Sequence, residues 1–154
     1  MFNITAKVTM NTKALKSLEK KLIKASHEAV QVGFFDGKLH PSGDMTIAEV
    51  AAVQEYGTRE VPARPFMTTT VMRDQEFLVY LENGLSSIYW GVTPNAKRGL
   101  RGAGQVLAES MKASVETWSN PANSLSTVRR KGFNDPLVET GTMKENISWR
   151  LVSK

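Results

Sequence analysis

The sequence contains no cysteine and only two histidines. The absence of cysteine excludes a disulfide framework, a thiolate metal site and a cysteine nucleophile, and it is consistent with synthesis in a reducing cytoplasm. Neither His27 nor His40 has a second histidine at the spacing of metal ligands. We therefore expect both histidines to be structural or solvent-exposed, and we expect no metal site.

Long apolar runs are also missing from the sequence. No stretch approaches the roughly 18 to 20 apolar residues that span a bilayer, and the first residues lack the charged start and apolar run of a secretory signal. We therefore expect neither a membrane protein nor a secreted protein. With 154 residues, of which 41% are hydrophobic and 23% charged, the composition is typical of one soluble globular domain.

Motifs that would indicate catalysis are absent as well. The glycine-rich stretch 99–104 has the spacing of neither a phosphate-binding loop nor a dinucleotide fingerprint, and no serine lies in a strand-turn-helix elbow. Glu55 and Glu60 could form a carboxylate pair, but the sequence near them offers no metal partner and no nucleophile. We therefore predict that the protein is not an enzyme, has no catalytic residue and no cofactor, and takes no small-molecule substrate.

The net charge of +5 is distributed unevenly along the chain. Residues 1–24 carry six lysines and one glutamate, residues 25–96 carry four basic and nine acidic groups, and residues 97–154 carry ten basic and five acidic groups. A chain with basic ends and an acidic middle is suited to self-assembly in which the basic part of one copy contacts the acidic part of the next. It is also suited to a surface that faces nucleic acid. The alternative is that these charges only solvate the surface, which is the usual role of a single charge run.

Hydrophobic periodicity predicts an α+β fold. Two segments, 2–10 and 147–152, alternate apolar and polar residues with period two, which is typical of strands buried on one face. The segment 30–35 is predicted as a further strand from its residue types, and a turn signal follows it at Asp36-Gly37. The stretches between them have helical spacing, with cap residues at Asn11 or Thr12 and a capping box formed by Thr46 and Glu49. We predict a single domain with a small, mostly antiparallel sheet and three to four helices packed on it.

Long exposed loops separate these predicted elements at about 36–45, 91–104 and 120–135. One helix is predicted to start at about Pro65, and the last sizeable helix is predicted to be firm only after Gly104. Loops of this length are uncommon in compact domains unless they bind something. Arg129, Arg130 and Lys131 fall in the third loop, and we predict that they face DNA or a protein partner.

The segment 54–66, which we call the elbow, joins two of the predicted helices with the sequence Gln-Glu-Tyr-Gly-Thr-Arg-Glu-Val-Pro-Ala-Arg-Pro-Phe. Gly57 can adopt the positive φ that closes a helix, and Pro62 and Pro65 fix φ at two later places. A stiff connector suits a specific contact, so we predict that it forms an interface with another subunit or partner. The predicted contact residues are Glu55, Tyr56, Arg59, Arg64 and Phe66. The alternatives are an ordinary helix-to-helix turn and, for Phe66, a place in the core.

The chain resembles the tail-completion and head-to-tail joining proteins of tailed bacteriophages, a family of small neck components. Three parts of the sequence carry the resemblance. The first is Ala-Glu-Val-Ala-Ala-Val-Gln-Glu-Tyr-Gly-Thr at 48–58 with Val-Pro-Ala-Arg-Pro-Phe at 61–66. The second is Leu-Ser-Thr-Val-Arg-Arg-Lys at 125–131. The third is Pro-Leu-Val-Glu-Thr-Gly at 136–141, leading into Ile-Ser-Trp-Arg at 147–150. The resemblance as a whole covers roughly residues 30 to 152.

The resemblance implies a structural virion protein that assembles as a ring of six copies. As a tail terminator or neighbouring neck component it would join the tail tube to the head connector, having assembled in the cytoplasm of the bacterial host. Its partners would be further copies of itself, the connector and tail tube proteins, and packaged DNA through non-specific contact. The residues leave one alternative open, a phage-encoded basic nucleic-acid-binding protein that is not part of the virion.

Overall fold

The structure is a computed structural model that describes residues 11–41, 43–93 and 95–153. The strand predicted at 2–10 lies outside these residues. The described residues form seven helices and two strands. In chain order these are α1 Thr12–Ser26, β1 Glu28–Gly33, α2 Ile47–Tyr56, α3 Phe66–Arg73, α4 Glu76–Tyr89, α5 Lys97–Thr117, α6 Leu125–Lys131, α7 Thr142–Glu145 and β2 Ser148–Ser153. The predicted α+β class is confirmed, but the helices outnumber the three to four that the sequence predicted.

The two strands pair antiparallel, with Val32 opposite Trp149 and Val30 opposite Leu151. A two-stranded sheet is marginally stable in water, so it needs support on one face. Helix α5 supplies that support by packing against both strands. The helix approaches closely at Gly104, where a Cβ atom would lie 2.6 Å from Cγ2 of Val30. This packing places α5 at the centre of the fold.

Two clusters of buried side chains form the core, and each includes residues from a different part of α5. The larger cluster draws on α2, α3, the C-terminal half of α5 and the segment that leads into β2. Its buried members are Ile47, Ala51, Phe66, Ala108, Met111, Val115, Leu137, Met143 and Ile147. The smaller cluster joins α1, α4 and the start of α5, and its buried members are Ala25, Ile88, Ala96 and Leu100.

Two of the three predicted loops contain helices. Helix α5 begins at Lys97 rather than after Gly104, because Gly99 and Gly104 are buried at packing contacts that outweigh the low helix propensity of glycine. Helix α6 occupies 125–131 within the predicted loop 120–135. Among the described residues of 36–45, an isolated bridge between Leu39 and Thr46 just beyond the loop is the only regular pairing. None of the described helices has the length and apolar character needed to cross a membrane.

Candidate functional site

Helix α2 positions the elbow, and the local sequence specifies both of its ends. Thr46 Oγ1 accepts a hydrogen bond from the backbone N–H of Glu49, and the Glu49 carboxylate accepts one from the backbone N–H of Thr46 at 2.7 Å. The carboxylate accepts hydrogen bonds from the backbone N–H and from the hydroxyl of Thr46, and these two bonds lower the pKa of Glu49 below its usual value. Gly57 ends the helix with φ 72, and a Cβ atom there would lie 2.7 Å from the backbone nitrogen of Ala63. Both predicted ends of α2 are therefore confirmed.

Glu55, which we predicted at an interface, is buried inside the chain. Only 3% of the residue is exposed. Its two carboxylate oxygens accept hydrogen bonds from the backbone N–H of Met67 at 2.8 Å and of Thr68 at 2.9 Å, and from the Thr68 hydroxyl at 2.6 Å. Since α3 has no side-chain cap of its own at Pro65, Glu55 supplies that cap from another helix. Its charge is used to hold α3 and is not presented to a partner.

Arg64 is buried as well, with 4% of the residue exposed. Its guanidinium donates three hydrogen bonds: Nε to the Pro121 carbonyl at 2.9 Å, Nη2 to the Ala122 carbonyl at 3.2 Å, and Nη1 to Gln54 Oε1 at 2.6 Å. Burial lowers the pKa of Arg64, yet the group keeps its charge because the guanidinium pKa lies far above neutrality. Arg64 thus connects the elbow to the segment that precedes α6.

Phe66 belongs to the larger core cluster and has no exposed surface. Its ring meets that of Phe34 edge to face, with centroids 6.5 Å apart. The interface prediction is therefore wrong for Glu55, Arg64 and Phe66, and for Phe66 the alternative of a core position holds. The reason is that a proline-stiffened elbow turns its large side chains inward as readily as outward, and the sequence does not indicate the direction.

Tyr56 and Arg59 are the elbow residues that stay on the surface. Tyr56 is the last residue of α2 and is 79% exposed, and Arg59 lies exposed in the turn that follows. Thr58 organises that turn, because its hydroxyl accepts hydrogen bonds from the backbone N–H groups of Glu60 and Val61. Tyr56 and Arg59 are thus available for a contact, and their role at an interface stays a prediction.

The three basic residues predicted to face DNA or a partner lie at the C-terminal end of α6. Arg130 forms an ion pair with Glu139 at 3.2 Å. Lys131 donates a hydrogen bond to the Asp135 carbonyl, and its Nζ lies 4.9 Å from the centre of the Phe133 ring. Burial lowers the pKa of Lys131, and the positive charge of Arg130 adds to this effect. Arg129 is exposed and forms no ion pair with any described residue.

A groove of about 500 Å³ separates the elbow, α6 and the segment 136–143. Gln54, residues 60–62 and Arg64 line one wall, Thr127, Arg130 and Lys131 line a second, and residues 136, 137 and 139–143 line the third. The fold therefore brings the elbow, which carries most of the first part of the family resemblance, next to the second part and to residues 136–141 of the third. The second and third parts are neighbours in the sequence, whereas the elbow lies far from both along the chain. Sequence reasoning identified these parts but could not show that they adjoin.

Glu55, Glu60, His27 and His40 are the residues that the sequence offered for a carboxylate pair or a metal site. Among the described residues, no cluster of three or more histidine or acidic side chains is placed to hold a metal ion. Glu60 is exposed and lines the groove, whereas the Glu55 carboxylate is occupied by the first turn of α3. His40 is buried beside the groove, and its backbone N–H donates to the carbonyl of Met45. His27 is exposed at the end of α1.

Searches of models of known protein families, of curated proteins and of solved structures found no match to this chain.

Proposed function

We propose that the protein is a structural virion component of a tailed bacteriophage, a tail terminator or neck protein that forms a ring between the tail tube and the head connector. In this proposal it catalyses no reaction, binds no cofactor and assembles in the host cytoplasm. Its partners are other copies of itself and the adjacent connector and tail tube proteins.

The observation that carries the proposal is the convergence of the three resembling segments around one groove. If the resemblance were accidental, nothing would require the elbow to meet the second and third segments, which lie far from it along the chain. The buried Arg64 joins two of them, since it belongs to the elbow and binds the carbonyls that precede α6. The ion pair between Arg130 and Glu139 joins the second to the third. A set of residues that forms one spatial unit is suited to one shared task.

The charge distribution supports self-assembly in a ring. A contact between an acidic surface of one copy and a basic surface of the next is heterologous, and such a contact closes into a ring when its rotation angle allows. The sequence carries blocks of opposite charge that can supply two such surfaces.

The proposal is tested by particle assembly. Phage that lack this protein should accumulate filled heads and separate tails, and supplying the protein in trans should restore joined particles. The protein should also be detected in purified virions, with electron microscopy locating it at the neck. Joined, infectious particles formed without the protein would overturn the proposal.

The exposed elbow residues offer a sharper test. Tyr56→Ala and Arg59→Ala should leave the thermal melting of the purified protein unchanged, because both side chains lie on the surface. Either variant should reduce the yield of joined particles. Arg73→Ala, which removes an exposed arginine from the end of α3, serves as the control and should assemble normally.

The nucleic-acid-binding alternative makes a different prediction. A free DNA-binding protein should shift DNA in gels with an affinity that falls steeply as salt rises, and it should be absent from virions. The same two assays, applied to Arg129→Glu, also measure whether the predicted non-specific contact with packaged DNA occurs at α6.

A further inference from the structure

Helix α6 is held in place without packing against another described helix or strand. It contacts no other helix or strand in the part of the chain that the structure describes, and none of its side chains is buried. A seven-residue helix is not stable in water by itself. Its position depends on bonds at its two ends, from Arg64 before it and from Arg130 and Lys131 at its last turn. Such a helix gains stability when a partner covers its outer side.

The outer side of α6 combines one apolar and one basic residue. Leu125 is 77% exposed, and Arg129 lies one turn further on, so that both side chains share a face. The helix carries three basic residues and no acidic residue. A surface that fits this face must therefore offer apolar area beside a negative charge.

Helix α4 offers such a surface on another part of the molecule. It buries Gly84 and Ile88 toward α5 and leaves Leu78, Val79 and Leu85 exposed by about two fifths to one half. Glu82 lies on the same side, between Leu78 and Leu85. The helix has two acidic residues and no basic residue, and Glu82 forms no ion pair with any described residue. An exposed apolar face of this kind is typical of an interaction site.

The two faces are complementary in charge and in spacing. Leu125 and Arg129 are four residues apart, and Glu82 and Leu85 are three apart, so each pair spans about one helical turn. When Leu125 packs against Leu85, Arg129 comes within reach of Glu82. Helices α4 and α6 do not contact each other within the chain. One copy can therefore present α6 to one neighbour while its α4 receives the α6 of another.

We propose that the outer face of α4 on one copy is the docking site for α6 of a second copy of this chain. The contact is heterologous, so it is repeated from copy to copy. A seven-residue helix covers less than the roughly 800 Å² per partner of a stable complex, so a single contact is weak and closure of the ring strengthens it. This inference rests on the self-assembly within the proposed function and names the surfaces that perform it.

The absence of cysteine from the chain allows a direct test by crosslinking of the purified protein. Two variants, Glu82→Cys and Arg129→Cys, are mixed at the highest soluble concentration under mild oxidation. The mixture should give disulfide-linked dimers. Each variant alone should give about tenfold fewer, because a contact between unlike surfaces does not bring two copies of the same cysteine together. Arg101→Cys replaces an exposed arginine of α5 and serves as the control partner for Glu82→Cys. Equal yields with Arg101→Cys and Arg129→Cys would overturn the inference.

A charge exchange tests the same contact without a crosslink. Arg129→Glu and Glu82→Arg should each weaken self-association by about tenfold in sedimentation experiments, and the double variant should recover it. Melting curves establish that each variant is folded. A wild-type protein that stays monomeric at its solubility limit would overturn the inference, as would a double variant that fails to recover. A variant Arg129→Glu that loses DNA binding while keeping full self-association would show that α6 faces nucleic acid instead.

These outcomes are separate from those that test the proposed function. A protein found at the neck whose α4 and α6 do not crosslink would overturn the inference and leave the proposed function intact. Efficient crosslinking in a protein that is absent from virions would overturn the proposed function and leave the contact between α4 and α6 intact.

Discussion

The elbow and helix α4 differ in where they place their charged and apolar side chains. In the elbow, Glu55 and Arg64 are buried and form three hydrogen bonds each within the chain, and Phe66 is buried with them. In α4, Leu78 and Leu85 are exposed, although they belong to the residue types that usually form a core. The elbow therefore uses its distinctive residues to fix the fold, whereas α4 keeps its apolar surface available.

This difference shows that a distinctive motif is not necessarily a binding surface. The elbow stands out in the sequence because a stiff turn with a buried acid and a buried base needs particular residues at particular positions. The sequence of α4 shows an ordinary helical pattern of apolar residues. It does not indicate which of these residues are buried inside the chain and which stay exposed. The following predictions test this contrast, beginning with the largest effect.

Phe66→Ala should lower the free energy of unfolding by about 4 kcal/mol, because it removes a ring from a closely packed cluster and leaves a cavity. Leu85→Ala should change it by about 0.5 kcal/mol or less in the isolated protein, since half of that side chain is in solvent. Urea unfolding of both variants measures the difference. Similar losses for the two would mean that the contrast between the elbow and α4 is wrong.

Gly99→Ala should destabilise the protein by about 2 kcal/mol through overpacking. A Cβ atom at Gly99 would lie 2.4 Å from the Tyr80 carbonyl oxygen and 2.7 Å from Cα of Gly84, so α4 and α5 must separate. The matched variant is Gly102→Ala, where the obstacle is the ring of Tyr80, a side chain that can rotate away. We expect Gly102→Ala to be close to neutral, because the higher helix propensity of alanine offsets the adjustment. Equal melting temperatures for the two variants would contradict this account of how α4 is held.

Glu55→Gln should lower the free energy of unfolding by about 2 kcal/mol, because the amide keeps one acceptor oxygen but turns an NH₂ group toward either the N–H of Met67 or the donors of Thr68. Glu60→Gln is the control, since that side chain is exposed, and it should have almost no effect. Hydrogen exchange of the first turn of α3 should rise in Glu55→Gln alone. An unchanged exchange rate there would show that the cap is not needed.

The smallest expected effect is the dependence of stability on pH through Glu49. Hydrogen bonds from Thr46 lower the pKa of Glu49 in the folded state. The stabilisation that the Glu49 carboxylate contributes is therefore complete above the pKa of this group in the unfolded chain, near 4.5. It is lost as the pH falls through the lower pKa that the group has in the folded state. In Glu49→Gln this acid-dependent loss should be missing, while Glu19→Gln on α1 should behave like the wild type. Melting temperatures recorded from pH 6 to pH 3 test this, and parallel curves for wild type and Glu49→Gln would contradict it.

Local signals predicted much of the fold. The Asn11 cap, the Thr46 and Glu49 capping box, the end of α2 at Gly57 and the strands near 30–35 and 147–152 all agree with the structure. The glycine-rich stretch before Gly104 was predicted as a loop because glycine is a poor helix former. The structure makes it helical, since Gly99 allows α5 to pack directly on α4. That compensation comes from a second helix and is invisible in the local sequence.

For the candidate site, the sequence by itself determined the ends of helix α2 and the stiffness of the elbow. Prolines, a glycine with positive φ and cap residues act within a few positions of the chain, so their effect can be read locally. The direction in which each side chain points was decided by tertiary structure alone. Glu55 is buried because α3 needs an N-terminal cap, and Arg64 is buried because the carbonyls of Pro121 and Ala122 need a donor. The burial of Glu55 and Arg64 depends on these partners, which belong to other segments of the chain.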